Sequence, residues 1–242
     1  MRRVFVFALA PALLLFALTA SASPLKFRWD QCFGDGGVQN KAFACNVNTG
    51  ADVVVASFVP FTLLPGVADI ESRVDIAFGG AAVPAWWQFF NAGTCRQGAI
   101  GLTASDGSGI ACSDWSGGTG IGLIALVTVA PTTVSVSVTS YIPAGTADLA
   151  AGQEYFAYSL RVNHTKTVGA TSCAGCSVPA CLGMQYIEFD LETTHSFFTL
   201  SPDVSDTQWL AFWQGGPAGG TSCIRLTPAR TTTWSAVKSL YR

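Results

Sequence analysis

Acid–base or metal chemistry in this chain would have to start from its two histidines, His164 and His195. His195 follows Asp190 and Glu192 in an Asp-x-Glu-x-x-His run. On a strand the two carboxylates share a face, so a metal ligand set or an acid–base pair is conceivable. A working site needs at least three converging groups, and this run names no further one. A solvated strand end is the better reading, and no catalytic or metal-binding residue is assigned. The sequence has no Gly-x-Ser-x-Gly elbow, no His-Glu-x-x-His and no phosphate-binding glycine loop with lysine. The balance leans away from an enzyme, and no cofactor is expected.

Cysteine offers a second chemistry. Cys173-x-x-Cys176-x4-Cys181, with the distant Cys223, could bind zinc or act as a redox pair. Acidic glycine loops offer a third: Asp30, Asp35 and Asn40, or Asp106 and Asp114, could present oxygen ligands to calcium. The closing glutamate of a twelve-residue calcium loop is missing, and Asp-Gly is an ordinary turn dipeptide.

The aromatics offer the fourth. Read as a strand, Trp86–Phe90 puts Trp86, Gln88 and Phe90 on one face and Trp87 and Phe89 on the other. Thr207–Gln214 repeats the theme, with Trp209 and Trp213 against Leu210 and Phe212. A strand needs one apolar face for the core. A second aromatic stripe beside amides would suit sugar stacking, since an indole covers apolar C–H patches while amides bind hydroxyls. Trp86, Gln88, Phe90, Trp209 and Trp213 are therefore candidate ligand contacts. The competing reading buries both strands on both sides, or places the stripe beneath the long cysteine loops.

These residues need a scaffold, and the chain begins with an export signal. Arg2 and Arg3 precede the apolar run Val4–Leu18 and the small-residue site Ala20-Ser-Ala22, so 1–22 reads as a signal peptide and 23–242 as one domain. No later run has the length of a membrane helix. Removing Arg2 and Arg3 from the 13 basic residues leaves 11 against 15 acidic ones, a net charge of −4. Without a basic patch, nucleic acid is not an expected partner. A charged fraction of 12% suits an exported protein and tolerates self-association.

All eight cysteines follow the signal: Cys32, Cys45, Cys95, Cys112, Cys173, Cys176, Cys181 and Cys223. An even number in an exported chain favours disulfides over zinc or redox chemistry. Spacing makes Cys32–Cys45 and Cys95–Cys112 the natural pairs and leaves the order of the other four open.

Ile70–Phe78 alternates, with Ile70, Val74, Ile76 and Phe78 inward, Ser72 as a lapse, and Glu71, Arg73 and Asp75 on a wet face. Thr132–Thr139 alternates strictly, and Glu154–Val162 sets Phe156, Tyr158, Leu160 and Val162 on one face. Ile121–Ala130 is apolar on both faces and reads as central; Thr146–Ala151 suits a helical turn and Trp234–Tyr241 a short C-terminal helix. About nine to eleven short strands without a βαβ rhythm predict an all-β, single-domain antiparallel β-sandwich with disulfide-stapled loops.

The runs Trp29-Asp-Gln-Cys32-Phe-Gly-Asp35-Gly-Gly37, Ala85-Trp86-Trp87-Gln88-Phe89, Ala151-Gly-Gln-Glu154-Tyr155 and Cys173-Ala-Gly-Cys176 resemble a group of secreted bacterial proteins. With Phe43-Ala-Cys45-Asn46 and the ending Trp234–Arg242, the resemblance spans most of the mature chain. It implies an exported bacterial protein and brings no activity. The expected function is a secreted or periplasmic binding or adhesion module, with a glycan or another extracellular protein as partner. A self-assembling surface protein stands second and a hydrolase third.

Overall fold

The computed structural model describes residues 23–89, 93–106, 112–125 and 129–216. The predicted signal peptide, the C-terminal helix, Phe90 and Cys223 lie outside them. The strands, in chain order, are β1 (Leu25–Trp29), β2 (Asn40–Lys41), β3 (Ala51–Phe58), β4 (Leu64–Phe78), β5 (Ile100–Thr103), β6 (Ser113–Asp114), β7 (Ile121–Ala125), β8 (Val129–Ala130), β9 (Thr133–Tyr141), β10 (Ala147–Leu149), β11 (Tyr155–Asn163), β12 (Ala180–Leu191), β13 (Ser196–Leu200) and β14 (Leu210–Trp213). Ten of these have four or more residues, matching the expected count.

They form two sheets. The smaller runs β1-β3-β11-β5, with β6 beside β11. The larger runs β2-β14-β12-β4-β9-β7, with β10 on β4, β13 on β12 and β8 on β9. Pairing is antiparallel except for the short contacts β6–β11 and β2–β14. Val54, Ala56, Phe58 and Leu160 of one sheet meet Val74, Ile76, Val136, Leu182 and Met184 of the other in one buried core. This is the predicted antiparallel sandwich.

Alternation placed most of these side chains. Ile70, Val74, Ile76 and Phe78 face the core. Ser72, the lapse, meets Tyr158 of the opposite sheet through its hydroxyl at 2.5 Å. Burial pushes the Tyr158 hydroxyl upward, while the Ser72 contact opposes the shift.

Four readings change. Glu71 and Asp75 are buried, so the charged face of β4 is not wet. A bulge at Ala157 breaks the alternation of β11, where the register against β3 slips between Phe156 and Tyr158. Phe156 therefore packs outside the main core, against Cys32 and Val55. β7 is an edge strand rather than a central one: Ile121 and Leu123 face solvent, while Gly122 lies so close to Leu102 and Ala104 that a Cβ would collide with them. Ala147–Leu149 is a strand on β4, not a helical turn.

The disulfides are also rewired. Cys32 bonds Cys112, Cys45 bonds Cys176 and Cys95 bonds Cys173, at separations of 80, 131 and 78 residues. The expected local pairs Cys32–Cys45 and Cys95–Cys112 do not form, because cross-sheet packing brings distant cysteines closer than sequence neighbours. Cys181 is also disulfide-bonded. Among the described residues, no helix is long and apolar enough to cross a membrane.

Candidate functional site

The aromatic stretch folds differently from its expectation. Ala85–Trp87 is a 3-10 turn, not a strand. Pro84 starts it, and the Trp87 and Gln88 amides donate back to Pro84 O and Ala85 O. A turn does not divide its side chains between two faces. Trp86 and Trp87 both enter the core, as does Phe89. Trp213 arrives from β14 and stacks on Trp86 at 5.4 Å between ring centroids. Trp87 stands edge-on to both, and Trp29 of β1 lies 5.7 Å from Trp213.

The cysteine-rich loop seals this cluster. Trp86 Nε1 donates to Thr167 Oγ1 at 3.0 Å, and Trp213 Nε1 donates to Cys176 O at 2.7 Å. The exposed stacking platform predicted at Trp86 and Trp213 is thus absent. Gln88 spends its amide on the Val83 carbonyl. Trp209 is also buried and lines a shallow cleft with Asp75, Ala77, Cys181, Gly183, Gln185 and Leu210, whose volume is only about 10 Å³. That is room for about one water, far below the roughly 300 Å³ at which small-molecule pockets begin.

Arg96 supplies a contact that periodicity did not single out. Its guanidinium lies 3.6 Å above the Trp86 ring centroid and is 1% exposed. It donates to the carbonyls of Trp86 and Asn163. Burial pushes it down to about 9. Stacking on the indole offsets part of the cost of burying this cation.

The candidate chemical groups do not converge. Glu192 and His195 sit exposed in the turn between β12 and β13, while Asp190 is buried within β12. Cys173 and Cys176 bond different partners, so the Cys-x-x-Cys is neither a dithiol nor a zinc clamp. Asp35 lies beside Cys32 and Cys112, whose sulfurs are bonded to each other. Asp114 accepts from the Asp106 and Ser116 amides, as a turn carboxylate does.

One polar cluster gathers residues that sequence left scattered. His164 places Nε2 at 2.8 Å from Asp52 Oδ2 and Nδ1 at 2.9 Å from Thr49 O, and Phe43 stacks on its ring. Lys41 lies 3.4 Å from Asp52 and 2.7 Å from Asp30. Burial alone would lower the Lys41 pKa, but Asp30 and Asp52 outweigh it and raise it. The cluster ties β2, β3 and the end of β11 together. His164→Leu should lower stability by about 2 kcal/mol in chemical denaturation, since Asp52 and Thr49 O lose their contacts to the ring.

Two motif runs are likewise joined by structure. Glu154 accepts from the Phe33 and Gly34 amides at 3.0 and 2.7 Å and from Ser57 Oγ at 2.5 Å. The Ala-Gly-Gln-Glu-Tyr run therefore anchors the turn that follows Cys32.

The exposed apolar surface lies elsewhere. Phe61 and Leu63, between β3 and β4, are 71% and 58% exposed. A column of rings joins Phe61 to the core: Phe61–Phe198 at 5.3 Å, Phe198–Phe189 at 6.2 Å and Phe189–Phe58 at 4.9 Å. The only sign of this tip in the sequence is a Phe and a Leu between Pro60 and Pro65.

The architecture defines a disulfide-stapled, antiparallel β-sandwich. No family model, curated protein or solved structure matches the chain.

Proposed function

We propose that this chain is an extracellular, non-catalytic binding module that grips a protein partner through Phe61 and Leu63. The observation that carries the reading is the exposed Phe61–Leu63 tip, backed by a ring column rooted in the core. Aromatic anchors held rigidly at a surface are the usual centre of a protein interface, because little side-chain freedom is lost on binding. Three long-range disulfides are compatible with an oxidising compartment. The glycan version of the reading has less support, since Trp86 and Trp213 are sealed and Gln88 bonds the backbone.

The test presents the mature protein, coupled to beads, to arrayed glycans and to immobilised extracellular proteins. Retention on protein surfaces is expected, reduced about thirtyfold in Phe61→Ser, which is what losing a 2 kcal/mol anchor gives. Retention unchanged by the substitution rejects the site; retention on glycans alone restores the sugar reading.

A second reading, self-assembly, draws on β7. This edge strand, Ile-Gly-Leu-Ile-Ala, has no charge or proline to block pairing, and Ile121 and Leu123 face outward. Concentration-dependent oligomers by light scattering that Leu123→Lys abolishes, with no heterologous retention, would favour it.

A further inference from the structure

The outward face of the larger sheet carries an arrangement that sheets ordinarily avoid. Glu71 of β4 stands directly opposite Glu188 of β12, and Asp69 stands opposite Asp190. Directly opposed side chains lie close enough for like charges to destabilise the pair. Asp75 continues the row, and the one basic residue on β4, β9, β12 and β13 is Arg73, which donates to Asp75 at 2.8 and 3.2 Å. These side chains project away from the core, because their neighbours Ile70, Ser72, Val74 and Ile76 face it. Yet Glu71 is 9% exposed and Asp190 is 3% exposed. Tyr186, on the same face of β12, has its hydroxyl pushed up to about 12 by burial, then by Glu71 and Glu188.

The chain carries a matching countercharge. Beyond Gly216 its sequence holds Arg225, Arg230, Lys238 and Arg242, and no Asp or Glu. A covalent tether is also indicated. Cys181 opposes Ala77 and so belongs to this outward face. It is disulfide-bonded, and the three described disulfides use six of the other seven cysteines. Cys223 alone remains. From Cys181 to Asp190 the strand runs about 30 Å at its usual rise. The seven residues from Cys223 to Arg230 reach about 23 Å when extended, and Lys238 reaches further.

We propose that the outward face of β4 and β12 is the docking surface of the chain's own basic C-terminal segment, Pro217–Arg242, anchored by a Cys181–Cys223 bond. The opposed carboxylate pairs are then the receiving half of an internal electrostatic interface. A second copy presenting the same acidic face would be repelled, which favours the tail over self-docking.

Two measurements on the full mature protein test this. Non-reducing peptide mapping should recover Cys181 joined to Cys223; any other partner for either cysteine overturns the proposal. Carbodiimide footprinting with a neutral amine should label Glu71, Glu188 and Asp190 weakly. In Arg225→Glu/Arg230→Glu that labelling should rise about fivefold, the effect of a 1 kcal/mol loss of docking. Labelling that is already strong, or that stays unchanged in the variant, overturns the docking even where the disulfide is present. A basic external protein that protects these carboxylates only when added would assign the face to that partner instead.

Discussion

Trp86→Ala is expected to lower the free energy of unfolding by about 4 kcal/mol, the middle of the range for truncating a buried aromatic. Three losses combine. The side chain is fully buried and stacks on Trp213, with Trp87 and Phe89 also in ring contact. Its indole N–H leaves Thr167 without a donor, although Thr167 keeps its own bond to His164 O. Arg96 loses the ring beneath its guanidinium while remaining buried. For a domain of this size the melting temperature should fall by about 12 °C, taking roughly 3 °C per kcal/mol. Thermal unfolding followed by circular dichroism reads the effect. Trp209→Ala should cost about half as much, because that ring lines a surface cleft rather than the aromatic centre. A Trp86→Ala protein that melts with the wild type would restore Trp86 as a surface residue and undo the reading of the cluster as the centre of the fold.

How far the sequence spoke depended on whether a signal was local. β4 and β9 were legible because one face of each must be apolar, and Val134, Val136 and Val138 obey that rule. β7 misled because its residues are apolar throughout, while edge or centre is decided by the neighbours. Pro84–Phe89 misled for a related reason. Aromatic residues favour strands, but three residues after a proline close a 3-10 turn as readily. The charged face of β4 was placed correctly, yet its burial was not visible in alternation alone. Lys41, Asp52 and His164 were beyond reach, since more than a hundred residues separate the last two. Phe61 and Leu63 were present as letters, but exposure in a loop is a tertiary property.

Removing the Cys95–Cys173 bond with a Cys95→Ala/Cys173→Ala pair should cost about 4 kcal/mol, because a closed loop of this length restricts the unfolded chain strongly. The local pairs expected from spacing would each have contributed about 3 kcal/mol. The longer spans matter for position as well as size. Cys95–Cys173 and Cys45–Cys176 both fasten the loop whose Thr167 and Cys176 cap Trp86 and Trp213. Cys95 also starts the turn that carries Arg96, so one bond holds the stacked cation and the loop against the same indole. Disulfide loss and Trp86→Ala should therefore be less than additive, by about 1 kcal/mol or more, as for residues sharing one contact network. Denaturant titrations of the wild type, the two altered chains and their combination close the cycle. Full additivity would mean the disulfide acts on the unfolded chain alone. A shortfall would mean that the stretch from Pro84 to Arg96, which resembles a ligand platform in sequence, is a clamp closed by two covalent bonds.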